Sequence, residues 1–308
     1  MTTNIHKLPS TDNVSDTLTE SAPSISSSAM LVELSISTWT GRKLDKQASQ
    51  VVTTTNNASS GVANVHKKLL GDCAELDMIQ KFVGNVRNEH YAMTMPWSDT
   101  GIRLLPTAQY FKYHRVMTDF ANSHKELITK FLNAYANRVA DAQDKLGDLF
   151  RRMDYPSPDQ IASKFNFNIS YIPLPEVGDF RIDIGNEQKE VLQKSYTDYY
   201  SSQLSNAMND VWTRLHKVLT NMSERLDYAD KETKKIFRDT LVTNVVDIVE
   251  LLSVCNVTKD SRMESMRVSL DNALRGVTPD ALREDEFLRA ETKQAIDDAI
   301  KALPSLDI

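Results

Sequence analysis

The chain has 308 residues, a net charge of −6 and 41% hydrophobic residues, a composition typical of soluble globular proteins and not of disordered or collagen-like chains. It holds only 9 glycines and 10 prolines, which favours long helices and argues against a sandwich, a barrel or a glycine-rich nucleotide loop. The two cysteines, Cys73 and Cys255, lie far apart in the sequence. This excludes a disulfide framework and a zinc site built on cysteine pairs, and it indicates a reduced, cytoplasmic compartment.

The first residues differ in composition from the rest of the chain. Residues 1–29 are rich in Ser and Thr and poor in apolar residues, so we predict a disordered arm there. No basic stretch followed by an apolar run is present, so no signal peptide is expected. From Met30 onward the pattern changes, because Val32 and Ile36 belong to an apolar and polar alternation typical of a half-buried strand. Residues 30–308 are predicted to form a single helical domain.

Helical periodicity dominates the next part of the chain. Apolar spacing predicts a helix over 62–91, and an ordered loop follows over 95–106. A stripe that includes Tyr113 and Met117 then predicts a helix over about 107–153, which would span roughly 65–70 Å. Because that length exceeds the width of a compact domain, we expect either an extended, coiled-coil-like arm or a kinked pair of helices with Gly147 as the kink.

A β-hairpin is predicted between two long helices. Ser157 followed by Pro158 is typical of a capped helix start. Strict alternation then predicts a hairpin over about 165–184. Two strands alone are marginal in water, so the hairpin must rest on helices or take the strand at 31–38 as a third member. A second long helix is predicted over about 186–230, antiparallel to the first.

The C-terminal helices, predicted over about 236–303, complete the core. The most apolar stretch, 241–257, carries Asp247 and Glu250 in its middle. Each acid would cost about 2.5–3.5 kcal/mol at the centre of a bilayer, so we interpret the stretch as a buried helix and expect no membrane contact. The predicted fold is mainly α: an elongated helical bundle with two long antiparallel helices and a small β-hairpin, of two or three strands, inserted between them.

Motifs for common catalytic sites are not found. The sequence has no phosphate-binding glycine loop, no paired-histidine metal motif and no nucleophile elbow. We therefore predict no catalytic, cofactor-binding or metal-binding residue, and no enzyme. His124 lies on an apolar helical stripe and is interpreted as a hydrogen-bonded core histidine. Asp179 and Asp183 share a strand face with Arg181, and a solvated, charge-balanced face is favoured over a metal site because the arginine supplies the counter-charge.

Three tyrosines start the second long helix, at Tyr196, Tyr199 and Tyr200. Such a group could stack the bases of a single-stranded nucleic acid, but that function also needs a basic groove. Acids and lysines are mixed over 187–203, so we favour a packing role and expect no nucleic acid as a partner.

Five segments together resemble one family. They are LSISTWTGRKLDK (34–46), HKKLL (66–70), TMPWSDTGIRLLP (94–106), LGDLFRRMDYPSPDQIASKF (146–165) and PLPEVGDFRIDIG (173–185). In this order they resemble the domain-of-unknown-function 3150 family of tailed bacteriophages and prophages, and the resemblance covers about residues 31–230. The family has no established activity, so the resemblance implies no catalytic residue. Its members are often encoded beside MoxR-like AAA+ ATPases and von Willebrand factor A proteins, which implies an ATPase as a partner and the host cytoplasm as the location.

The function predicted from these observations is that of a non-enzymatic phage interaction or adaptor protein, with a MoxR-like AAA+ ATPase as its suspected partner. A phage structural or assembly protein is the alternative, and a helical pore-former or an enzyme acting on nucleic acid or protein is less favoured. A homo-oligomer is also compatible with the sequence. Trp97, Leu174 and Val177 are the candidate exposed apolar contacts. Arg151 and Arg152 are the candidates for docking an acidic partner.

Overall fold

The computed structural model describes residues 25–174, 186–228 and 238–304. Its centre is a four-stranded antiparallel sheet with the order β4-β5-β1-β6, and a two-stranded ribbon, β2-β3, lies apart from it. The strands are β1 (Ala29–Ser37), β2 (Arg42–Leu44), β3 (His66–Lys68), β4 (Met95–Pro96), β5 (Ile102–Pro106) and β6 (Asn166–Pro173). The sheet joins segments that are far apart in the chain, since β1 pairs with both β5 and β6.

Helices make up most of the described residues. They are α1 (Ile25–Ser28), α2 (Lys46–Thr55), α3 (Ala74–Met93), α4 (Tyr110–Leu146), α5 (Pro158–Ala162), α6 (Asn186–Leu226), α7 (Thr240–Cys255), α8 (Ser261–Leu274), α9 (Pro279–Glu284) and α10 (Glu286–Lys301). The capped start at α5 is confirmed: the Ser157 side chain accepts a hydrogen bond from the Gln160 backbone, and Pro158 occupies the first helical turn.

The two faces of the sheet are covered by different helices. Leu31 and Leu104 belong to a core shared with α6, α7, α8 and α10. Their neighbours in sequence, Val32 and Leu105, belong to a second core shared with α3 and α4. Because successive side chains of a strand point to opposite faces, the sheet forms the middle of three layers. A third apolar cluster joins α3 to the far part of α4.

The two long helices are present, but the predicted helical hairpin is wrong. α4 has 37 residues and a length of about 55 Å, and α6 has 41 residues. α4 packs along α3, whereas α6 packs along α7 and α10. The sheet separates them, since α4 covers one of its faces and α6 the other. The mainly α class is confirmed, and the bundle of two long helices with one hairpin is not the fold.

Several predicted boundaries also differ from the structure. The helix predicted over 62–91 begins at Ala74, because β3 and a turn precede it. The helix predicted over 107–153 ends at Leu146, where Gly147 takes a φ of +49° that L-residues rarely adopt. Two short 3₁₀ turns follow, at Gly147–Leu149 and Arg152–Asp154.

Half of the predicted β-hairpin falls within the described residues. Its first strand is confirmed as β6, which pairs with β1 so that Phe167 lies opposite Ile36 and Tyr171 opposite Val32. Its second strand falls on 175–185, which lie outside the described residues. Residues 1–24 of the predicted arm also lie outside them, and α1 forms one helical turn ahead of β1.

Candidate functional site

The ribbon β2-β3 concentrates basic side chains on a chain of net negative charge. Arg42 lies opposite Lys68, and Lys43 lies opposite Lys67. Like charges directly opposite each other destabilise an antiparallel pair. The ribbon therefore needs acidic partners from elsewhere in the chain.

The acidic partners are Asp45 and Asp154, and both contact Lys67, whose side chain is only 5% exposed. Its Nζ lies 3.1 Å from Asp45 Oδ2 and 2.7 Å from Asp154 Oδ2, and it donates to the Leu149 carbonyl oxygen at 2.8 Å. These three oxygens match the three donors of an ammonium group. Lys43 adds a second contact to Asp154, at 2.7 Å. The buried pairing joins the ribbon, the start of α2 and the segment after α4.

The charges in this cluster are held in their ionised forms. Burial raises the pKa of Asp154, but hydrogen bonds from Lys43 and Lys67 outweigh it and leave the pKa below its usual value. The Ala48 backbone amide and Lys67 lower the pKa of Asp45. Burial lowers the pKa of Lys67, but hydrogen bonds to both aspartates outweigh it and leave the pKa raised. Two aspartates and two lysines are neutral in sum, so the cluster is a structural anchor.

An exposed surface covers this anchor. We call it the basic face and define it by Lys43, Leu149, Arg151, Arg152 and Met153. Met153 is 86% exposed and Leu149 44% exposed, so two large apolar side chains point to solvent. Arg151 donates to Gln47 Oε1 at 2.6 Å. Because the buried cluster is neutral, the arginines give this face a positive charge, although Asp148 is exposed beside it.

The contacts place the two predicted arginines beside the ribbon. The segment that carries Arg151 and Arg152 packs on the ribbon through Lys67 and Asp154. The sequence identified the arginines but did not connect them with the basic residues of the ribbon. The signal was present in the motif HKKLL at 66–70, but its neighbours only become visible once β2 and β3 pair.

Two of the predicted apolar contacts are not exposed. Trp97 is 6% exposed and packs edge-on against Tyr200, with ring centroids 5.3 Å apart. Leu174 is 4% exposed and lies in the same core. The expectation of exposure was wrong for both, because the sheet face at β4 and β6 is covered by α6 and the helices behind it. Val177 lies outside the described residues.

The tyrosines at the start of α6 serve packing. Tyr200 is buried, and the ring of Tyr196 lies 6.3 Å from it. Tyr199 is exposed. The packing interpretation is therefore confirmed for two of the three. Residues 179–183, with their predicted acidic and arginine face, lie outside the described residues.

Two histidines, His90 and His124, behave as core residues, with one difference from the prediction. His124 is buried among aromatic rings as predicted, but its Nε2 has no hydrogen-bond partner among the described residues. His90, which the sequence did not single out, is also buried, and its Nδ1 lies 2.8 Å from the Tyr113 hydroxyl. Burial lowers the pKa of His90 to about 4. Both rings are therefore neutral structural groups near pH 7.

A polar network beside His90 fixes β4 to α6. Arg103 Nε donates to the Thr94 hydroxyl at 2.6 Å, and Arg214 Nη2 donates to the Thr94 carbonyl at 2.8 Å. Thr94 in turn donates to the His90 carbonyl at 2.6 Å. These polar groups pair with one another, so we assign them a structural role.

A concavity of about 810 Å³ lies between α3, α6 and α7. Its charged lining contains three acids and three bases, Glu89, Asp247, Glu250, Lys112, Arg214 and Lys217. Since the two signs balance, this concavity selects no ligand by charge, unlike the basic face.

Within 25–174, 186–228 and 238–304, no helix is long and apolar enough to cross a membrane. In the same ranges, no group of three or more His, Cys, Asp or Glu side chains is placed to hold a metal ion. The chain matches no protein-family model, no curated protein and no solved structure.

Proposed function

We propose that the protein is a non-enzymatic adaptor that binds an acidic partner protein through the basic face. The resemblance to the phage family suggests a MoxR-like AAA+ ATPase as that partner and the host cytoplasm as the location. The observation that carries the proposal is the pair of exposed apolar side chains, Met153 and Leu149, set beside exposed arginines. An apolar centre bordered by polar groups, with Arg and Met enriched, is the usual anatomy of a protein interface.

The backbone under this face is held in place before a partner arrives. The Leu149 carbonyl accepts from Lys67, and Asp154 receives both Lys43 and Lys67. These contacts lie on either side of the arginines in the chain. A fixed backbone reduces the entropy that binding would otherwise cost, which supports recognition by this segment.

Charge supports the choice of an acidic partner. The side chains of Arg151 and Arg152 are exposed, so their charges act across solvent and are screened by salt. Exposed charges at the edge of an interface mainly raise the association rate and the salt sensitivity of binding. We therefore expect the affinity for the partner to fall as ionic strength rises.

The test is affinity capture of the tagged full chain from infected cells, with and without ATP, read by mass spectrometry. We expect the wild type to recover an AAA+ ATPase in a nucleotide-dependent way. The double variant Arg151→Glu/Arg152→Glu should recover at least about tenfold less, since opposite charges replace the attractive ones. The matched control Lys125→Glu/Lys130→Glu makes the same charge change on exposed positions of α4 and should recover as much ATPase as the wild type.

Other outcomes of the capture decide against the proposal. Recovery of capsid or tail proteins in place of the ATPase would favour the alternative, a phage structural or assembly protein. Equal ATPase recovery by the wild type and by the arginine double variant would show that the basic face is not the binding surface.

A further inference from the structure

A groove of about 580 Å³ lies next to the basic face, between the C-terminal part of α4 and residues 150–158. Its principal lining residues are Tyr135, Val139, Phe150, Arg152, Tyr155 and Pro156. A volume of this size suits one or two side chains of a ligand and not a folded domain.

Aromatic rings form the walls of the groove, and their polar ends are already occupied. The rings of Phe150 and Tyr155 lie 5.0 Å apart between centroids. The Tyr155 hydroxyl donates to the Leu69 carbonyl at 2.6 Å, and the Tyr135 hydroxyl donates to the Pro156 carbonyl at 3.0 Å. Because both hydroxyls are bonded within the protein and both tyrosines are buried, their rings form fixed walls at the back of the groove.

Small side chains along α4 form the floor. Ala136, Val139 and Ala140 line the groove and lie on one side of the helix, since positions three and four apart share a helical face. Ala136 and Ala140 are exposed. An apolar floor of small residues leaves room for a large apolar side chain from outside.

The charged group at the edge of the groove is the guanidinium of Arg152. The Arg152 side chain is exposed and lines the groove, and it forms no ion pair with any residue in the described part of the chain. Its charge opposes the rise that burial causes in the pKa values of Tyr135 and Tyr155, which places it near both rings. A free guanidinium beside apolar walls can form a bidentate contact with a carboxylate.

We propose that this groove binds a peptide segment of a partner protein in which a large apolar side chain lies beside a carboxylate. The apolar side chain would enter between the rings and the alanines, and the carboxylate would pair with Arg152. The inference rests on the proposed function and names the chemistry that the partner must present. A nucleic acid is a poorer fit, because the groove offers one cation where a phosphate backbone would be followed by several.

The test is selection of short random peptides displayed in a library on the purified full chain. We expect enrichment of peptides that carry Asp or Glu within a few positions of Leu, Ile, Phe or Trp. The affinity of an enriched peptide, measured by fluorescence polarisation, should fall at least about tenfold in Ala140→Trp, which fills the groove, and in Arg152→Glu, which reverses its charge.

Matched controls separate the groove from general effects of substitution. Ala290→Trp places the same large ring on an exposed position of α10, and Lys130→Glu reverses an exposed charge on α4. Both should bind the peptide as tightly as the wild type. Thermal melting of each variant checks folding, and Arg152→Glu, an exposed substitution, keeps the test valid even if Ala140→Trp fails to fold.

The inference is overturned if no peptide class is enriched, if the enriched peptides are basic, or if they bind Ala140→Trp and Arg152→Glu as tightly as the wild type. Failure of the groove is distinct from failure of the adaptor function. If the ATPase is captured in a way that depends on the arginines but no peptide binds, only the proposed role of the groove fails. If a peptide binds in a way that depends on Ala140 but no ATPase is captured, only the proposed identity of the partner fails.

Discussion

Replacing Asp154 with asparagine is expected to lower the free energy of unfolding by about 3 kcal/mol, because it leaves the buried Lys67 ammonium short of a counter-charge. Asparagine keeps the size of the side chain, so the effect reports the charge and not a cavity. For a domain of this size the midpoint of thermal unfolding should fall by about 5 °C. Urea denaturation followed by circular dichroism measures the change.

Two further variants make this test specific. Asp148→Asn removes the exposed acid of the same segment and should change stability by no more than about 0.5 kcal/mol. Asp154→Asn combined with Lys67→Met should cost less than the sum of the two single variants, since Lys67 and Asp154 contact each other directly. If Asp154→Asn and Asp148→Asn unfold at the same urea concentration, the buried cluster does not hold the ribbon in place.

Acidification is expected to destabilise the protein by about 3 kcal/mol through His90 alone. Burial lowers the pKa of His90 from 6.5 to about 4 in the folded state, so the folded ring stays neutral while the unfolded ring takes a proton. Above pH 6.5 neither state is protonated and this contribution to stability is complete. As the pH falls from 6.5 toward 4 the unfolded state gains protons first, and the contribution is lost.

The measurement is the free energy of unfolding in urea at several pH values across that window. His90→Gln cannot be protonated but can still hydrogen-bond the Tyr113 hydroxyl, so its stability should depend less on pH than that of the wild type. Part of the dependence remains, because burial also lowers the pKa of His124. His66→Gln, on the exposed ribbon, should follow the wild type. Identical curves for the wild type and His90→Gln would contradict the assignment.

Local sequence patterns predicted those helices and strands whose formation depends on residues close together in the chain. Alternation over Val32 and Ile36 predicted β1, and the Ser157-Pro158 start predicted α5. Both patterns report interactions within a few residues, such as a side chain that caps its own helix. The layer order was not predictable in this way, because Leu31 and Val32 pack on different helices and both are simply apolar in the sequence.

The sequence also does not predict which individual residues are buried. Trp97 follows a proline in a segment rich in turn residues, which predicts an ordered loop and does not by itself decide whether the ring is buried. Its burial depends on Tyr200, more than a hundred residues away in the chain. An aromatic side chain is exposed or buried according to what covers it, and that is a property of the whole fold.

The sequence by itself determined the mainly α class, the long helices, the strands β1 and β6 and the two arginines that the proposed function uses. The tertiary structure alone decided that the long helices lie on opposite faces of a sheet and that Lys43 and Lys67 share Asp154. The physical reason is range: helix periodicity and capping act over a few residues, whereas Lys43 and Asp154 are separated by 111 positions. Charges so distant in sequence become one site only when the backbone between them has folded.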